Sequence, residues 1–155
     1  MSITQQLADR VKELTVFCVE HRGTRCLRDC DPAKVFRYIA FNLLNGTLFE
    51  GRDKNGKVQI VVFAWLDCAA DIMRRAAADE PQFNWQMART EGDAILVGDV
   101  IGSRRWFCKI VEQIKAHWPD SPRKRFFTYR GDRPRLKEFT LKTVLRFTYV
   151  QPENT

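Results

Sequence analysis

The sequence predicts a mixed α/β domain (α+β), with one mainly antiparallel sheet flanked by helices. Three observations predict it. Apolar residues recur at helical spacing near the N-terminus and again between residues 103 and 117. Asn55-Gly56 separates two β-rich segments, the pattern of a hairpin. The segment Ala94–Ile101 (AILVGDVI) is apolar on both faces, as a central strand must be. With 155 residues, 45% hydrophobic and 29% charged, the chain suits one domain with a real core, and general disorder is not expected.

Taken in order, Ile3, Leu7, Val11 and Leu14 mark one face of a helix over residues 3–14. Thr15 to Asp31, with scattered Cys and Arg and one Gly, shows no clear period. Asp31-Pro32 reads as an N-cap followed by proline at the first helical position. That second helix places Val35, Tyr38, Ile39 and Leu43 on one face and stops near Asn45-Gly46. Thr47–Arg52 and Lys57–Leu66 are the hairpin strands. Residues 69–78 are Ala-rich and helix-compatible, and Pro81 to Asp93, through which Phe83, Trp85 and Met87 alternate, reads as a loop. After the central strand, Ser103 is expected to cap a helix to about His117, buried through Phe107, Ile110, Val111 and Ile114 and ended by Trp118-Pro119. Lys124–Arg130 is a further strand, Leu136–Phe139 a turn of helix, and Leu141–Tyr149 alternates as a last strand.

No apolar run approaches the ~18 residues that a membrane span needs. The first fourteen residues mix Gln, Asp, Lys and Glu among the apolar ones and do not read as a signal peptide. Five cysteines, an odd number, favour reduced thiols and a cytoplasmic protein. The net charge of +7 is unevenly placed: residues 1–100 hold 13 Lys and Arg against 14 Asp and Glu, whereas residues 101–155 hold 13 against 5. A basic patch in the C-terminal third points to an anionic partner, whether nucleic acid, a phosphorylated carrier or an acidic protein. The other reading is a solvated basic face.

Asp99 lies in the central strand and by simple alternation shares a face with Ile95, Val97 and Ile101. A buried carboxylate needs a partner or a shifted pKa, so Asp99 is either a functional group or a structural one bonded to a loop. Gly98 beside it suggests a bulge or a close backbone approach. Gly102-Ser103-Arg104-Arg105 sets two arginines in the first helical turn, where cations are unfavourable by roughly 0.3–1 kcal/mol each unless an anion joins them. A phosphate would make that turn a binding site; otherwise both side chains splay into solvent. No glycine–lysine loop of the Walker type is present, so a nucleoside triphosphatase is not expected.

Cys18, His21, Cys26 and Cys30 offer four zinc-type ligands within a short stretch. Their order fits no common finger or knuckle and Cys18 sits in an apolar run, so buried or free thiols and no metal are expected. Cys68, Cys108 and the four tryptophans read as core, and His117 as a structural residue at a helix C-terminus.

A strand, a close backbone approach and an anion-seeking turn before a helix, in this element order, resemble the acyl-coenzyme A site of the GNAT acyltransferase fold. Of that fold's glycine-rich pyrophosphate signature only Gly102 remains. One branch of the fold also lacks the signature, and Val58–Phe139 resembles it: the RTX toxin-activating lysine acyltransferases. The resemblance rests on Ala64-Trp65-Leu66, Asp99, Arg104-Arg105-Trp106, Trp118-Pro119, the basic strand Lys124–Arg130 and Leu136-Lys137-Glu138-Phe139. It implies transfer of a fatty acyl group from acyl carrier protein to a lysine by a His–Asp pair. Asp99 matches the second member, and His21, the only N-terminal histidine, is the candidate for the first. A neutral His can take the amine proton while a carboxylate orients it, and backbone N–H groups near Gly98 could hold the thioester carbonyl. Gly98, Gly102, Ser103, Arg104 and Arg105 would then bind acyl-coenzyme A or acyl carrier protein as co-substrate. The alternative is a non-catalytic, phage-encoded binding protein of the same fold whose basic face takes nucleic acid or an acidic protein.

Overall fold

The apolar stripe at the N-terminus runs further than its first period suggests. A computed structural model describes residues 2–21, 30–78, 91–130 and 135–141. In it α1 spans Ile3–His21, with Val11, Leu14, Thr15 and Cys18 buried at helical spacing. The stretch from Thr15 to Val19 is rich in β-branched residues, and burial against the sheet overrides that weak local preference. The second helix, α2 (Pro32–Leu44), follows the sequence closely: Pro32 opens it, and an Asp31 carboxylate oxygen accepts the Lys34 amide at 2.7 Å. At its far end Gly46 takes φ +68°, which turns the chain into the first strand.

Strands β1 (Leu48–Arg52) and β2 (Val58–Asp67) form the expected hairpin, and Gly56 supplies the positive φ of the turn. Helix α3 (Ala69–Ala77) leads on to β3 (Ala94–Gly102), α4 (Phe107–His117), β4 (Arg125–Arg130) and β5 (Arg135–Phe139). The sheet order is β1-β2-β3-β4-β5, so the Ala94–Ile101 segment is central as its sequence requires. All neighbours are antiparallel except β3 and β4, which are parallel and joined across α4.

Two expectations are corrected. Leu136–Phe139 is a strand, not a turn of helix: Phe139 stands opposite Phe126 with ring centroids 5.5 Å apart, and Glu138 takes the Arg125 guanidinium at 2.6 Å. Cross-strand pairs of this kind outweigh one isolated helical turn. Ser103 caps no helix with its side chain; a 3-10 turn, Arg104–Trp106, comes first, and α4 begins at Phe107. Ile110, Val111 and Ile114 of α4 are buried as expected, with Phe107 only half-buried. Residues 81–90 of the expected loop, Cys26, and the Leu141–Tyr149 strand beyond Leu141 lie outside the described residues.

The sheet separates two apolar layers. Val11, Leu14 and Cys18 of α1, with Val35, Tyr38 and Ile39 of α2 and Ile72 of α3, cover Val61, Phe63, Trp65, Leu96 and Ile101. On the other face Ile110, Val111 and Ile114 of α4 cover Ile60, Val62, Ala64, Ile95 and Val97. No described helix is long and apolar enough to cross a membrane.

Candidate functional site

Strand β3 pairs with β2 along its whole length, but unevenly. Val97 faces Ala64 and Val100 faces Val62, so Gly98 and Asp99 together stand opposite Phe63. One extra residue is absorbed as a β-bulge where Gly98 suggests one. The bulge changes which face later residues occupy. Val97 and Val100 both belong to the α4 layer, three positions apart, whereas Ile101 belongs to the α1 layer. Asp99, alternating with Val100, is therefore turned toward α1. It shares a face with Ile101 but not with Ile95 or Val97, which corrects the alternation read from sequence. A Cβ at Gly98 would lie 2.9 Å from Trp65 Cζ3 and 3.0 Å from Cη2, so what approaches this backbone on the α1 side is the indole.

The Asp99 side chain is buried, and its charge acts on Cys18 of α1. Burial first, and the Asp99 carboxylate second, push the Cys18 thiol up to about 12. A thiol held protonated at neutral pH is neither nucleophile nor ready metal ligand. Arg10 of α1 meets Glu50 at 3.2 Å and Glu13 meets Arg52 at 2.5 Å, both on β1. One turn further along, Phe17 lies over Gly102 and Cys18 comes within electrostatic reach of Asp99, both on β3. Helix α1 thus crosses the sheet from β1 toward β3 as it runs to its C-terminus.

His21 ends that helix, exposed, with its ring stacked on Phe17 at 4.3 Å and 25°. His21 Nδ1 stands 2.9 Å from the Phe17 carbonyl oxygen. A carbonyl only accepts, so Nδ1 carries the proton and Nε2 is the basic nitrogen of the neutral ring. The structure gathers Phe17, Cys18, Asp99 and Gly102 and sets His21 one turn beyond. Among the described contacts no hydrogen bond joins His21 to Asp99; the imidazole is held by Phe17 alone.

The ladder between β3 and β4 runs only from Ala94 opposite Arg125 to Val97 opposite Thr128. It ends where the bulge begins, while β3 continues beside β2 to Gly102 and β4 continues beside β5 to Arg130. At the tip of β3, Gly102 has φ +102°, and a Cβ there would be 2.5 Å from Gln59 O and 2.7 Å from Phe17 Cζ. The Ser103 amide donates to Gln59 O at 2.9 Å, the Trp106 amide to Ser103 O at 3.1 Å, and the Phe107 amide to Arg104 O. An anion at this turn would be met by the exposed Arg104 and Arg105 and by their own amides, not by a glycine cradle.

Sequence reasoning missed Phe17, whose i, i+4 spacing from His21 was a usable signal, and a polar cluster at the opposite end of β2. There Arg75 Nη2 of α3 meets Asp67 Oδ2 at 2.7 Å, and Arg75 also donates to Asp71. Asp67 Oδ1 accepts the Cys68 amide at 2.8 Å, and Asp93 accepts the Ala69 amide at 2.9 Å. Of the four candidate zinc-type ligands Cys18 is buried, His21 exposed and Cys30 half-buried, and Cys26 lies outside the described residues; no group of three metal-type side chains occurs among the described residues. Cys68 is exposed and Cys108 half-buried, so neither is core. His117 closes α4 as expected, packed on Gly46 and edge-on to Phe49 and Trp118. No family model matches this chain, and no match is found among curated proteins or solved structures.

Proposed function

We propose that the chain is an N-acyltransferase-like protein that moves an acyl group from a thioester carrier, coenzyme A or acyl carrier protein, to an amine such as a lysine side chain. The observation that carries this reading is the parting of β3 from β4 directly after Val97, at the bulge that turns Asp99 toward α1. Backbone groups past such a fork can pair with an extended ligand as they would with a strand. In this reading the amine nitrogen attacks the thioester carbonyl carbon and passes its proton to His21 Nε2. The C–S bond breaks, and the leaving thiolate takes the proton back, giving an amide and a free thiol. Asp99 would be the carboxylate member of the pair, and amides near Gly98 take the carbonyl oxygen. Arg104 and Arg105 would meet the phosphate of the carrier, and the basic C-terminal third suits both carriers.

One observation favours a second reading. Phe17 covers Gly102 and the Ser103 amide is already engaged, as in a protein that keeps the architecture without chemistry and uses its basic face on nucleic acid or an acidic protein. Native mass spectrometry with coenzyme A, acyl-coenzyme A, acyl carrier protein, single-stranded DNA and duplex DNA separates the two. We expect a thioester carrier to bind, and His21→Ala and Asp99→Asn each to abolish acyl transfer to a lysine peptide while the fold survives. Binding of DNA alone, with no transfer to any amine, would overturn the acyltransferase reading.

A further inference from the structure

We propose that Phe17 is a positioning residue that, held between the Gly102 backbone and the His21 imidazole, fixes the proton of that imidazole on Nδ1 and leaves Nε2 as its basic nitrogen. Three observations meet on this one side chain. Its ring tip occupies the space that any side chain at position 102 would need, so Gly102 is the seat on which the ring rests. Its ring face carries the imidazole at a centroid distance of 4.3 Å. Its own carbonyl oxygen receives His21 Nδ1 at 2.9 Å. The tip of β3 thereby orients a residue on α1 through the ring between them.

The physical consequence concerns the tautomer. In solution the Nε2–H form of a neutral imidazole is the more populated one; a carbonyl lying against Nδ1 reverses that preference. The backbone carbonyl alone would do so weakly at a helix end, where an exposed side chain rotates freely. Stacking on a ring that is itself held removes that freedom, and the bond to the carbonyl follows. Among the described residues, the other titratable groups near this helix end are Glu20, which precedes His21 in the chain, and Cys18 and Asp99. None of them is the recorded acceptor of Nδ1.

The catalytic use of Nε2 rests on the acyltransferase reading, but the tautomer does not, and the test keeps the two apart. The chain has two histidines, so long-range ¹H–¹⁵N spectra of the full protein at about pH 8.5, above the ordinary imidazole range, resolve both, with His117→Gln assigning them. We expect His21 to be mainly Nδ1–H in the wild type and to move toward Nε2–H in Phe17→Leu. Phe17→Met, which also keeps apolar volume without a ring, carries the same test if the leucine variant fails to fold. In an acyl-transfer assay both variants should lose about tenfold or more in kcat with KM unchanged. An unchanged tautomer in a folded Phe17 variant overturns the proposal whatever the activity. A shifted tautomer in a protein that transfers no acyl group supports it while removing the acyltransferase reading.

Discussion

Strands β2 and β3 lie side by side, and each carries one buried aspartate, at opposite ends of the sheet: Asp67 beside the start of α3 and Asp99 beneath the end of α1. Asp67 is the more deeply buried, at 2% exposure against 7%. Its oxygens meet the Arg75 guanidinium and the Cys68 amide, and the same guanidinium reaches Asp71 one turn back on its own helix. The chemistry around Asp99 is different. It lies beside a backbone irregularity, and among the groups it acts on is a thiol kept protonated by burial first and by the Asp99 charge second. Depth of burial therefore does not distinguish a structural carboxylate from a functional candidate; what surrounds it does.

The comparison breaks first at Arg75. Arg75→Met removes the guanidinium that meets Asp67 and should lower stability by about 3–5 kcal/mol in urea unfolding. Adding Asp67→Asn should restore most of it. If the double variant is no more stable than Arg75→Met, the loss comes from packing and the two aspartates are not distinguished by charge.

At the other end Gly98→Ala drives a methyl into the Trp65 ring and should destabilise by about 1–3 kcal/mol. Trp65→Phe in the same chain should recover part of that loss in thermal unfolding, because the smaller ring vacates the site. A Gly98→Ala variant as stable as the wild type would mean the bulge relaxes at no cost.

Cys18 sharpens the contrast through pH. Its thiol titrates near 9.0 in an unfolded chain and about 12 in the folded one. Above pH 9 the unfolded state loses a proton that the folded state keeps, so stability falls as pH rises toward 12, by at most about 1.4 kcal/mol per unit. Urea midpoints at about pH 8 and pH 10.5 should differ less for Cys18→Ala than for the wild type. Equal differences would show that the Cys18 thiol is not held protonated in the folded chain.

The smallest effect on stability belongs to Arg104→Glu and Arg105→Glu. Both residues are exposed, so unfolding should shift by no more than about 0.5 kcal/mol. Affinity for an anionic carrier should fall, and wild-type binding should weaken with salt. Unchanged affinity in both variants would leave that turn without a role.

Much of this architecture is legible in the residues because local chemistry and tertiary packing agree there. Asp31-Pro32 caps and opens α2, Asn55-Gly56 turns the hairpin, and the two-sided apolar run at Ala94 is the central strand. Disagreement arises where tertiary contacts overrule local pattern. The Thr15–Val19 run looks β-like but is held helical by burial against the sheet. Leu136–Phe139 has too few residues to announce its period, and only pairing with β4 makes it a strand. For the site, Gly98 signals an irregularity, but alternation cannot say which face follows it, and Asp99 is misassigned by that one step. Nothing in the sequence ties Phe17 to Gly102; only the fold brings the two together.

The bulge has a consequence in genetic terms. Removing one codon from a strand ordinarily inverts every side chain beyond the lesion and exchanges core for solvent. Position 98 is the exception in β3. With Gly98 deleted, Val97, Asp99 and Val100 would stand opposite Ala64, Phe63 and Val62 in unbroken alternation, and each apolar residue of the strand would keep its layer. Gly98 thus behaves as a one-residue insertion into an otherwise regular ladder. A chain lacking it should still fold, which makes that deletion a direct way to remove the irregularity beside Asp99 while leaving the rest of the strand in register.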